Sequence, residues 1–270
     1  MTYPIQINTM DCSPLVIDNS YNVIELDLLA QWVAQLLLGN YLHIARIIEG
    51  LDSSAAPLRN KAIDGIIEKL KANNNNVYRR DGWLFQMISW IALKIKLHEQ
   101  YGSGKVFMIA PHTAPAQHGI DGLALVVDEE KMIKYIVVCE DKCTDKARNL
   151  ITSQIYPEFR KFEEGEFDSR VMSDVSSMIR GEDGGVLLQN IQNDIGNNKY
   201  WIYRIGVTRQ DGSEDMEGRK ALYNGYDDVV NGDVTRRNAA SVNLNDIREW
   251  MDAFSKMVVK ELELKKTKDV

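Results

Sequence analysis

The chain of 270 residues is short of positive charge. Thirty-two Lys and Arg face 39 Asp and Glu, which leaves a formal net charge of −7. Unaided capture of a nucleic acid needs clustered Lys and Arg. Such binding is therefore expected to rely on a local basic groove or on a second subunit. No run of eighteen apolar residues occurs, so a membrane span is not expected. The opening MTYPIQINTMDCSP has neither a basic cap nor an apolar core, and the expectation is a cytoplasmic chain. Three cysteines, Cys12, Cys139 and Cys143, match no disulfide or zinc framework. Cys139 reads as a small apolar strand residue. No phosphate-binding G-x-x-x-x-G-K-[ST] loop occurs, and no serine pairs with a histidine and an aspartate for acyl transfer.

What is present is an ordinary globular composition, 44% hydrophobic and 26% charged. Residues 22 to 72 carry helical spacing. Leu26, Leu29, Trp32, Val33, Leu36 and Leu37 form one face, and further helices are expected over Tyr41–Leu51 and Ala55–Leu70. The asparagines 73 to 76 mark a boundary. The expected division is a helical N-terminal region, 1–76, and a second region, 77–270. A helix over Trp83–His98, capped by Asp81, is apolar almost all round and should be buried. Strands are expected over Val106–Ala110, Ile120–Val127, Lys134–Glu140 and Tyr200–Thr208. Helices are expected over Asp145–Glu163, kinked at Pro157, over Asp168–Arg180 and Val186–Ile195, and over Asn245–Lys265 with Asn243 or Asn245 as cap. The fold class is therefore α/β, a mixed central sheet flanked by helices.

The segment from His118 to Asn149 carries the chemistry. Asp128 to Lys131 form a polar turn between two apolar runs, which predicts a hairpin. Folded about Glu130, the hairpin brings Asp121 level with Glu140. Side chains alternate along a strand, so Glu140 and Lys142 share a face and Asp141 points away. Opposed residues have Cβ atoms about 5 Å apart, and two opposed carboxylates repel. A divalent cation between them reverses that balance, and oxygen ligands suit Mg²⁺ or Mn²⁺. The ligand set would be Asp121, Glu140 and the backbone carbonyl of Asp141, with Lys142 handling a water beside a phosphate. Read as a solvated rim instead, Glu140 and Lys142 are an exposed pair of no catalytic consequence.

Asp121 followed after eighteen residues by Glu140-Asp141-Lys142 resembles the PD-(D/E)XK nuclease superfamily. The likeness covers residues 82 to 208. It implies a restriction-endonuclease-like core with the signature on adjacent central strands, and hydrolysis of DNA. Ile120 stands where that family often has proline. Gln86 stands where many members carry a glutamate on the preceding helix, which leaves fewer carboxylates than a two-cation site would use. The block CEDKCTDKARN and the helix after it are similar to the nuclease subunit of Hachiman-type antiphage defence systems, which implies a helicase partner.

Further residues are candidates for the same cleft. His118 precedes Asp121 by three residues and is a candidate for contact with phosphate or water. Lys146 and Arg148 open the next helix and read equally as phosphate contacts or as surface charge. Gln154 lies two turns further on. His112 reads as a packing residue in a Pro-containing loop. The stretch Tyr200–Arg204 with Arg209 beyond, and the basic spot Arg219–Lys220, read either as a nucleic-acid groove or as an alternating strand and surface charge. The alternative function is a nuclease fold without catalysis, serving as an interaction or DNA-binding subunit.

Overall fold

A computed structural model describes residues 2–49, 56–71, 76–102, 105–116, 119–179, 189–192, 196–209 and 214–266. A seven-stranded mixed sheet organises the chain. The strands are β1 (Ile5–Cys12), β2 (Val16–Val23), β3 (Val106–Met108), β4 (Gly122–Val127), β5 (Ile133–Lys142), β6 (Trp201–Arg209) and β7 (Arg237–Asn243). Their order is β1-β2-β7-β6-β5-β4-β3. β2, β7, β6 and β5 run parallel, while β1 and the β4–β3 pair add antiparallel edges.

Both faces of the sheet are covered. On one lie α1 (Leu26–Glu49), α2 (Ala56–Leu70), α3 (Val77–Tyr101) and α8 (Ile247–Leu264), packed on Tyr21, Ala240, Val242, Val137 and Cys139. On the other lie α4 (Ala147–Leu150), α5 (Tyr156–Glu163), α6 (Asp168–Met178) and α7 (Met216–Tyr223), packed on the alternate residues Leu123, Leu125, Ile136, Val138, Ile205 and Val207. Sheets buried on both faces read as continuous apolar runs, and every residue of β4, GLALVV, is buried.

The hairpin opposes Asp121 to Glu140 as expected, through a register shift between Val126 and Val127. Gly122 pairs with Cys139 and Leu125 with Ile136. Its turn is fixed by Asp128, whose Oδ1 accepts from the N–H of Glu130 and of Met132, both at 2.9 Å. α3 is buried over most of its length, as its apolar circumference requires.

Several expectations give way to the structure. Residues 5–23 are not a prelude to helices but a two-stranded hairpin that joins the sheet through β2 and β7. β1 exposes much of its length, so the apolar alternation that marks a strand is weak there. β7, RNAASVN, is polar in composition yet mostly buried. α1 runs unbroken to Glu49. Residues on both sides of the 76/77 boundary, Leu29 and Leu70 with Trp83 and Phe85, share one core. Asp81 is inside α3, buried and paired with Arg80 and Arg248, rather than capping it. The N-cap of α8 is Asp246, in the left-handed region at φ 48°. Where a kink at Pro157 is expected, the helix is irregular. A π turn, Ile151–Ile155, precedes it, and Tyr156 N–H reaches back to Ile151 O. The wider turn accommodates the ring that an α-helix would clash with at the carbonyl four residues earlier. The helix expected over Val186–Ile195 and the asparagines 73–75 fall largely outside the described residues.

Candidate active site

Asp121 ends the loop before β4, and Glu140 and Lys142 end β5. The pairing of Gly122 with Cys139 puts Asp121 directly across from Glu140. Lys142 Nζ lies 3.3 Å from Glu140 Oε2 and 3.8 Å from Asp121 Oδ2. Two carboxylates and one ammonium thus meet at one end of the central strands, where Glu140 is only 7% exposed.

Charge balance at this spot is strained. Burial, and next the Asp121 carboxylate, push Glu140 well above the ordinary carboxylate range; Lys142 opposes the shift. Burial alone would lower the Lys142 ammonium, but Glu140 and Asp121 outweigh it and hold it above its usual value. Lys142 is therefore a firm cation and hydrogen-bond donor.

Asp121 is held from two sides. Gln86 on α3 donates through Nε2 to the Asp121 carbonyl at 2.9 Å and to Oδ1 at 3.1 Å. The N–H of Asp141 donates to Oδ2 at 3.0 Å. The Asp141 side chain points to the opposite face, as strand alternation requires. There Ser89 Oγ donates to its Oδ1 at 2.6 Å, and Arg204 lies 3.5 Å away. Burial raises the Asp141 carboxyl to about 6 against the pull of Arg204. Gly206 on β6 makes room for this pair, since a Cβ there would stand 1.8 Å from Asp141 Oδ1. The glycines beside Asp121 also mark close approaches. A Cβ on Gly122 would lie 3.1 Å from Cys139 Cβ, and one on Gly119 would lie 2.5 Å from His112 Nε2.

A cleft of about 240 Å³ opens over Asp121 and Lys142, walled by Arg79, Trp83, Gln86 and His112. His112 is more than packing. Its carbonyl accepts from Trp83 Nε1 at 2.7 Å, and its Nδ1 lies 3.2 Å from Gln86 Nε2. Burial lowers the His112 imidazole, which favours a neutral ring whose Nδ1 accepts from Gln86. Ala116 lines the same cleft with φ at 56°, an uncommon conformation for a non-glycine residue. Arg170 on α6 is exposed, and its Nη2 would lie 3.2 Å from a Cβ placed on Gly119.

The accessory candidates separate. Gln86 joins the site. Lys146 is exposed at the start of α4, and Gln154 is exposed on the π turn. Arg148 turns away and donates to the carbonyls of Leu222 at 3.1 Å and Asn224 at 2.8 Å, so it ties α4 to the end of α7. His118 lies outside the described residues. Cys139 and Cys143 are free thiols that burial pushes up to about 12.

Among the described residues no three His, Cys, Asp or Glu side chains converge as a metal-binding group. The donor set here is smaller: two carboxylates, with the Asp141 carbonyl on the strand between Glu140 and Lys142. Two opposed carboxylates, one of them driven towards its neutral form by burial and next by the other, have the oxygen donors that a single hard cation takes. No protein-family model, curated protein or solved structure matches the chain.

Proposed function

We propose that this chain is a divalent-cation-dependent nuclease of the PD-(D/E)XK kind that hydrolyses DNA phosphodiester bonds. The supporting observation is the convergence of Asp121, Glu140 and Lys142 across the β4–β5 register. Mg²⁺ or Mn²⁺ held by Asp121, Glu140 and the Asp141 carbonyl would supply Lewis acidity toward the scissile phosphate and a water of lowered pKa.

The chain's own groups have distinct tasks in this reading. Lys142 donates to the attacking water and to the phosphate oxygen that gains charge. It does so as an ammonium, because its neighbours keep it protonated. Glu140, which burial and Asp121 push towards its neutral form, would serve as a cation ligand in its ionised form. Gln86 and the Asp141 N–H fix the Asp121 carboxylate, so that a ligand oxygen is aimed before substrate arrives. Ser89 and Arg204 anchor the Asp141 side chain behind the strand. Trp83 and His112 wall the cleft, and Arg79 lends it positive charge. The net charge of −7 favours a partner in substrate capture, and a helicase of the antiphage-defence type fits the resemblance of the CEDKCTDKARN block.

The test is cleavage of supercoiled and linear DNA with Mg²⁺ or Mn²⁺, alone and with a helicase encoded beside this chain. Wild type is compared with Glu140→Ala and Lys142→Ala. Loss of cutting in both variants, with melting transitions preserved, supports the reading. Equal cutting in all three means a contaminant. A wild type that retards DNA but never cuts it supports the second reading, a non-catalytic DNA-binding subunit.

A further inference from the structure

A second charged cluster lies on the same face of the sheet as Glu140 and Lys142. It joins Asp18 on β2, Ser241 on β7, Arg209 at the end of β6, and Arg219 on α7. Asp18 is fully buried, and its Oδ2 lies 2.8 Å from Arg219 Nη1. Ser241 Oγ donates to the same oxygen at 3.2 Å and accepts from Arg219. The Asp18 carboxylate is thus engaged by Arg219 through Oδ2, while its Oδ1 is buried without a hydrogen-bond partner among the described residues.

Arg209 has no such partner. It is 7% exposed, and its Nε and Nη1 are sealed from solvent with no acceptor among the described residues. Its ion pair among the described residues is with Glu214, whose Oε1 is 3.6 Å from Nη1 on a side chain 66% exposed. That oxygen already accepts from Asn243 Nδ2 at 3.0 Å. A guanidinium does not shed its proton at ordinary pH. Two guanidiniums with one interior carboxylate therefore leave a desolvated positive charge and orphaned donors, a costly arrangement. Burial, and next the Arg219 charge, push Arg209 below its usual value. An anion beside the guanidinium would compensate the charge and bond at most one of the two buried donors, since Nε–H and Nη1 face different edges of the planar group.

The location decides which anion. Lys142 pairs with Val207 on β6, and Arg209 is two residues further along that strand. Strand alternation gives Val207 and Arg209 the face of Lys142. One strand across and two residues along is about 8 Å, the scale of one nucleotide of backbone. We infer that Arg209, backed by Arg219, is a subsite for a backbone phosphate of the nucleic-acid strand next to the phosphate at Asp121, Glu140 and Lys142. The assignment of that phosphate to a polynucleotide rests on the nuclease reading.

Two measurements test it. In the first, thermal melts follow inorganic phosphate titrated against chloride at constant ionic strength. Wild type should gain melting temperature with phosphate. Arg209→Met should melt no lower than wild type in chloride, since it removes an uncompensated charge, and should lose the phosphate-dependent gain. Arg209→Lys keeps the charge without the fork and should show a reduced gain; it also serves if the methionine variant fails to fold. In the second, fluorescence anisotropy follows a DNA oligonucleotide without divalent cation. Arg209→Met should bind about tenfold more weakly, with a salt slope about one unit shallower. A phosphate gain equal in wild type and both variants overturns the site. So does a methionine variant that melts far below wild type in chloride, because Arg209 is then a structural cation. A lost phosphate gain with unchanged DNA affinity overturns the backbone assignment and leaves free phosphate as the ligand. A wild type that cuts no DNA, yet shows the phosphate gain and the Arg209-dependent salt slope, supports the subsite and removes the nuclease reading instead.

Discussion

The backbone N–H of Asp141 donates to Asp121 Oδ2 at 3.0 Å, across a gap of twenty residues in sequence. The strand that presents Glu140 and Lys142 therefore also orients the carboxylate opposite them. With Gln86 on the other oxygen, Asp121 is restrained at both lone-pair regions, and one pairing register governs three functional side chains.

Glu140 opposes Asp121 at a cost. Glu140→Gln removes a buried carboxylate that its neighbour repels. The variant should be more stable than wild type by about 1 kcal/mol in cation-free buffer and should not cut DNA. Chemical denaturation with and without Mg²⁺ checks this. A clear loss of stability would mean that the Lys142–Glu140 pair outweighs the repulsion.

His112 sets a pH dependence. Burial lowers its imidazole below the usual 6.5. The unfolded chain then binds more protons than the folded one in the window below 6.5, so stability rises with pH through that window and falls on acidification. Protonation also gives Nδ1 a hydrogen facing Gln86 Nε2, setting donor against donor at the group that holds Asp121. The acid-side decline in melting temperature should be shallower in His112→Asn than in wild type. Identical slopes in the two proteins would show that His112 titrates normally.

Gly206 is required by contact rather than by conformation. A methyl group there meets Asp141 Oδ1 at 1.8 Å, on backbone that cannot retreat from the middle of the sheet. Gly206→Ala should lose about 1–3 kcal/mol. It should also weaken cleavage by displacing Asp141, whose N–H holds Asp121. Crystallography or backbone chemical shifts of β5 in the variant would register the displacement.

Arg148 is a tie between helices. Arg148→Met leaves the carbonyls of Leu222 and Asn224 without their donor and should lose about 1–2 kcal/mol. DNA affinity should stay within twofold of wild type. A variant of full stability that binds DNA poorly would return Arg148 to the nucleic-acid surface.

The amino-acid sequence by itself determined the local geometry on which the candidate site stands. The polar turn at Asp128–Lys131 and the apolar runs on either side set the hairpin that brings Asp121 beside Glu140, and strand parity sends the Asp141 side chain to the far face; a register shift between Val126 and Val127 completes the alignment of Asp121 with Glu140. The all-round apolarity of Leu84 to Ile95 likewise required a buried helix. These are period and spacing effects, carried by residues close in the chain. Tertiary structure decided the rest. β1 and β7 lack a strong apolar alternation and are strands because β2 and β6 supply their hydrogen-bond partners. Gln86 meets His112 only because α3 packs across the end of β4. Asp18, Arg209 and Arg219 are separated by up to about two hundred residues and become a charge cluster only where parallel strands bring β2, β7 and β6 together. Such contacts depend on which surfaces bury against each other, and no spacing along one segment encodes that choice.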